Sequence, residues 1–189
     1  MRQIVLVSVI TLATSIAPVF ARGGKQNTTS GKAQSDQTFV MNAVRGGMAE
    51  VELGKLASEK AASDSVKKFG QRMVDDHSKA NDELKSLAQN KNITLPSDLS
   101  AKDKALRDRL SKLSGESFDR AYMQAMVADH RVDVNEFKKE STTGADPDVK
   151  AFASKTLPTL EDHLKMAQDT SKAVVGTTGT VSKSPKGKS

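Results

Sequence analysis

The chain has only three histidines among its 189 residues, and His77, His130 and His163 each fall near the middle of a separate stretch of helical periodicity. A further stretch carries Glu50. Projection at about 100° per residue puts Glu50 within the apolar arc of Phe39, Ala43, Gly47, Gly54, Ala57 and Ala61. His77 shares its face with Val66, Met73, Ala80 and Leu84, and His163 shares its own with Val149, Ala153, Thr156, Leu160 and Ala167. His130 lies with Tyr122, Met126, Phe137 and Asp133, opposite a polar face of Arg120, Gln124, Arg131, Asn135 and Lys138. Neutral imidazole with carboxylate suits Fe, Zn, Mn or Cu. The expected chemistry is one transition-metal ion held by Glu50, His77, His130 and His163, with Asp133 as a fifth ligand. The competing expectation is a metal-free structural or interaction module of the cell envelope, in which the same groups hydrogen-bond to one another.

Such a site needs four helices that converge. Ala, Lys, Glu, Leu and Met dominate at helical spacing and strand alternation is rare, so the fold class is all-α. Helices are predicted over about 36–62 and 64–90, joined at a Ser63-Asp64-Ser65 cap that leaves room only for a tight turn. Two more are predicted over about 116–141 and from Asp146-Pro147-Asp148 to about 172, the proline standing at the first helical position. Residues 91–115 form a long connection containing a short helix from about Ser100 to near Leu113. Two tight hairpins joined by one long crossover is the connectivity of a ferritin-like four-helix bundle.

Height along the bundle is consistent with a shared layer. Glu50 and His77 are each about 13 residues from the first turn. His130 and His163 are about 15 and 18 from the second, an offset of roughly 4.5 Å at the helical rise. Each histidine also follows an aspartate: Asp76, Asp129 and Asp162. Neighbours on a helix diverge by about 100°, so these carboxylates point outward or at another helix, where they can hold a ring N–H of a different histidine. Met48, Met73, Met126 and Met166 fall near the layer and read as packing. Pro158 interrupts the last helix one turn before His163.

The flanks carry different information. Residues 1–21 read as a secretory signal peptide: Arg2, an apolar run from Ile4 to Ala17, then Val19-Phe20-Ala21 as the cleavage pattern. No transmembrane segment is expected after processing, and the expected location is the periplasm or envelope. Residues 22–35 read as a flexible linker, 36–173 as the bundle and 174–189 as a disordered Lys-bearing tail suited to anionic envelope components. With no cysteine, disulfides and thiolate chemistry are excluded. All 23 acidic residues lie between Asp36 and Asp169, whereas eight of the 29 Lys and Arg lie outside, leaving 21 within. The domain is therefore slightly acidic despite the chain's net +6, and nucleic acid is not an expected partner. No catalytic triad or phosphate loop is present to suggest other catalysis, so storage or buffering is expected before turnover, with a redox or oxygenase-type enzyme at the same site as the remaining alternative.

Four segments together resemble the bacterial domain-of-unknown-function family numbered 4142. They are Gly46-Gly47-Met48-Ala49-Glu50-Val51-Glu52-Leu53-Gly54, Phe69-Gly70-Gln71-Arg72-Met73-Val74-Asp75-Asp76-His77, Phe118-Asp119-Arg120-Ala121-Tyr122 with Asp129-His130, and Leu157-Pro158 with His163. The resemblance implies a ferritin-like bundle exported to the envelope, in a family often labelled as outer-membrane protein and without an established activity; the expected role in metal binding or stress protection rests on the His and Glu residues themselves. Ferritin-like di-iron proteins carry Glu three residues before the ligating His. Here Val74 and Leu160 occupy those positions. A mononuclear site therefore fits better than an oxygen-activating di-iron centre.

Overall fold

The computed structural model describes residues 26–176. They form five helices: α1 (Gln26–Lys60), α2 (Asp64–Asn90), α3 (Ala101–Ser111), α4 (Gly115–Thr143) and α5 (Pro147–Gly176), with no strand among the described residues. The hairpins α1–α2 and α4–α5 pack most closely, and α1 against α4 and α2 against α5 close the bundle. The crossover places α3 against α1 and α4. The expected leader, and the tail from residue 177 onward, lie outside the described residues.

Two boundaries differ from expectation. Helix α1 begins at Gln26, inside the segment expected to be a flexible linker, and α5 continues to Gly176. Among the residues whose burial is described, Gly31, Lys32 and Ser35 are exposed and Asp36 is the first that is buried. Apolar periodicity therefore marks where α1 enters the core. The polar turns before it extend a helix already nucleated, which costs little per residue.

Local chemistry starts the helices. Ser100 accepts the amide of Asp103 at 3.1 Å and caps α3; Asp146 accepts those of Asp148 and Val149 and caps α5. Ser63 precedes α2 without a side-chain cap bond of its own. Buried Asp119 on α4 takes up that end, accepting from the amides of Ala62 at 3.1 Å and Ser63 at 2.9 Å. At the opposite end Asp36 on α1 accepts from the amides of Ala145 and Asp146, the closest contact being 2.6 Å. Each hairpin's turn is thus held by a carboxylate of the other hairpin, which fixes α1 and α4 antiparallel.

Glu140 is buried beside Asp36, and burial, reinforced by that negative neighbour, pushes its carboxyl up to about 7. A carboxyl raised from its ordinary 4.5 favours folding while both states can hold the proton, and that advantage is lost as pH climbs through the folded value. Glu140→Gln is accordingly expected to raise the melting temperature at pH 8 and leave it unchanged at pH 5. Equal shifts at both values would show that the side chain is not protonated in the fold.

Two helices can approach closely only where side chains are small. A Cβ on Gly54 would stand 2.5 Å from the carbonyl oxygen of Gly70, and one on Gly70 would stand 2.7 Å from the Cβ of Ala57. By helix propensity alone Gly54→Ala should gain about 1 kcal/mol. We expect a loss of ~1–3 kcal/mol instead, since the obstacle is backbone of the partner helix. Gly46→Ala, with nothing within 4 Å, should gain ~0.5–1 kcal/mol. Denaturant midpoints that move together in the two variants would refute this account.

The core is divided. One apolar cluster includes Leu53, Phe69, Met73, Phe118, Tyr122 and Met126, and the other Phe39, Val40, Leu84, Phe137, Phe152 and Leu160. Glu50 and the three histidines, all buried, belong to neither.

Candidate metal centre

The three imidazoles meet, one from each of α2, α4 and α5. Their ring centroids are 5.8 Å apart for His77 and His130, 5.4 Å for His77 and His163, and 5.4 Å for His130 and His163. One ring nitrogen of each lies within 4.8 Å of one from both others. His77 is 7% exposed, His130 0% and His163 1%, so the triangle is closed to bulk water.

Hydrogen bonds set the tautomers. His130 Nδ1 lies 3.0 Å from the carbonyl oxygen of Met126, which can only accept, so Nδ1 carries the proton and Nε2 a lone pair. His163 Nε2 lies 2.9 Å from Asp76 Oδ2. Burial works against ionisation of Asp76, but Arg72, one turn earlier, and His163 outweigh it and hold the carboxyl below its ordinary value. It is therefore a carboxylate, His163 donates through Nε2, and Nδ1 keeps the lone pair. His77 Nε2, His130 Nε2 and His163 Nδ1 are all buried without a hydrogen-bond partner in the protein. Three unpaired nitrogens on three converging rings form a donor set, and buried polar atoms left this way need an explanation.

The electrostatics prepare the rings. Burial, then the neighbouring imidazoles, pushes His77 down to about 3. Burial, then His163, brings His130 to about 4. His163 is lowered by burial in spite of Asp76. All three are neutral at pH 7, the form that binds a metal ion, so binding there requires no proton to leave them.

The five residues expected in one site fall into two adjoining groups. Glu50 and Asp133 do not join the imidazole triangle. With Asp129 they form a second group in which carboxylate oxygens approach within 4.8 Å. The groups meet where Glu50 Oε1 stands 3.6 Å from His130 Nδ1. This is not an ion pair: burial, then Asp129 and Asp133, holds the Glu50 carboxyl well above its usual range, and His130 is neutral. Burial, then Asp129, likewise raises Asp133 to about 8.

Two expectations about the aspartates divide in the same way. Asp76 holds a histidine on another helix, and exposed Asp162 takes no part. The membership of Asp129 escaped the sequence reading because it diverges from His130 along α4 and turns toward α1. Asn81, one turn after His77, was also missed; its Oδ1 is buried and unpartnered. With His77 and Asp133 it borders a cavity of about 20 Å³, space for a single water molecule. Met73 and Met126 are buried in the apolar cluster, as packing residues should be.

Fold and site together define an all-helical bundle with a buried imidazole triangle that could hold a metal ion. The chain belongs to the DUF4142 family, described as a domain of unknown function, which matches residues 22–170. No curated protein matches it. Among solved structures it is similar to a DUF305 fragment from Deinococcus radiodurans, with a TM-score of 0.66 at 13% identity over 74% of this chain and 96% of that one. It is also similar to CopM in the Cu(I)-bound form, with a TM-score of 0.60 at 18% identity over 71% of this chain and 93% of that one. For CopM in the Cu(II)-bound form the TM-score is 0.63 at 17% identity, over 73% and 96%. At these identities the likeness is one of fold. None of the described helices is long and apolar enough to cross a membrane.

Proposed function

We propose that this protein is an exported metal-binding bundle of ferritin-like architecture, and that its three imidazoles hold one transition-metal ion, in metal handling or stress protection. The observation that carries the reading is the set of buried, unpartnered nitrogens on His77, His130 and His163. Three neutral nitrogen donors favour Cu or Zn over Mn, which prefers oxygen. Asp76, bonded to His163, would fix that ring and raise its basicity, a usual arrangement around metal-bound histidine. The small adjoining cavity would admit one water as a further ligand and little else. That favours holding an ion over turning over a substrate. The likeness of fold to CopM, solved with copper bound, is in keeping with this. Export rests on the leader pattern of residues 1–21, and contact with anionic envelope polymers on the Lys-bearing tail.

The test is elemental analysis of protein purified without a polyhistidine tag, loaded in turn with Cu, Zn, Fe and Mn, and desalted. One equivalent of Cu or Zn in wild type, and none in His163→Ala, is the expected result. Protein that emerges without metal from all four loadings would overturn the proposal.

A further inference from the structure

Asn81 stands one turn after His77 on α2, so the two side chains share a face of that helix. The residue is only half-buried, yet its amide oxygen Oδ1 is buried and has no hydrogen-bond partner in the protein. An acceptor orphaned in this way costs about 1–3 kcal/mol unless a donor reaches it. Space for the amide comes from α1. A Cβ on buried Gly47 would overlap the Asn81 oxygen and stand 2.9 Å from its nitrogen, so the missing side chain lets the amide lie against that helix. Asn81 and His77, whose Nε2 is likewise unpartnered, line one cavity of about 20 Å³, with Asp133 and Thr156 as its other polar neighbours. That volume suits a single water, which needs roughly two to four polar partners.

We propose that Asn81 is a specificity-determining residue of the imidazole site: its Oδ1 accepts from a water that completes the coordination of a divalent ion, which favours Zn(II) or Cu(II) over Cu(I). Resting on the triangle as a metal site, this role decides which ion that site prefers. Three imidazoles leave a tetrahedral divalent ion one ligand short, and water is the usual fourth. A divalent ion takes up a lone pair of its water and makes the O–H groups stronger donors. An oxygen acceptor is therefore the group such a water requires. Asn81 supplies one whose charge does not change with pH. Cu(I) is softer and holds water poorly, so it gains little from an acceptor placed there.

Zn(II) and, under anaerobic conditions, Cu(I) are titrated into metal-free full-length protein against chromophoric chelators, with circular dichroism confirming the fold of each variant. Asn81→Leu, similar in size but without an acceptor, should bind Zn(II) roughly tenfold or more weakly than wild type and Cu(I) with equal affinity. Gly47→Ala should do the same by turning the Asn81 amide aside. Asn81→Asp keeps an acceptor and should bind Zn(II) no more weakly than wild type. Zn(II) affinity unchanged in Asn81→Leu, or Zn(II) and Cu(I) affinity lost alike, would overturn this role for Asn81 and leave the triangle standing as a metal site. Wild type that takes up neither ion would overturn both.

Discussion

Saturating Cu(II) or Zn(II) should raise the melting temperature of the wild-type protein by roughly 10 °C and leave that of His77→Ala where it was. At free metal a thousandfold above the dissociation constant, a ligand that binds only the folded chain adds ~4 kcal/mol. Each kcal/mol is worth about 2–4 °C in a domain of this size. The comparison is the shift on adding metal within each protein, so any cost of removing a buried ring cancels. Asp76→Asn should keep the fold and bind ~10–100-fold more weakly, since it loses the group that fixes His163. Because burial leaves all three rings neutral, the binding enthalpy at pH 7 should not vary with the ionisation heat of the buffer. An undiminished thermal shift in His77→Ala would remove the triangle from the account.

Metal-free protein should be most stable between about pH 4.5 and 6.5 and weaken on both sides. The histidines govern the acid limb. A base with a depressed folded value contributes stability that is complete above its ordinary value of 6.5 and is lost as pH falls toward about 4 for His130 and about 3 for His77. The buried acids act in the opposite sense. Glu50, Asp133 at about 8 and Glu140 at about 7 contribute stability that is complete below their ordinary values and is lost as pH rises through the folded ones.

Between the two ranges, protons held only by unfolded imidazoles are offset by protons held only by folded carboxyls, and the slopes nearly cancel. Outside it one set acts alone, at about 1.4 kcal/mol per proton per pH unit. From pH 6.5 to 8.5 the loss should reach a few kcal/mol, and Asp133→Asn should flatten that limb without altering the acid one. Denaturation midpoints across the range would measure both. A profile that climbs steadily to pH 8.5 would show that the carboxyls are not buried as protonated groups.

The imidazole triangle was legible in the sequence because helical periodicity states which residues face inward, and counting from a tight turn states how high they lie. His77, His130 and His163 obey both rules. Neither rule carries the angle at which α1 meets α4, and that angle groups Glu50 with Asp129 and Asp133 and not with the imidazoles. Asp129 illustrates the same gap: a residue one step from a buried histidine points to solvent or to the next helix according to where that helix stands. The turn clamps were hidden as well. Asp36 and Asp119 read as ordinary polar positions, yet each accepts two backbone amides from a turn 56 to 110 residues away in sequence.

By itself the sequence determined the helices, the two hairpins, the long crossover and the inward direction of three imidazoles. All of these follow from local periodicity, capping and loop length. Tertiary structure alone decided which nitrogens keep their lone pairs, which carboxyls stay protonated, and that Glu50 joins the aspartates of α4 and not the imidazoles. Those outcomes depend on distances between helices far apart in the chain and on the exclusion of water, which no local pattern encodes.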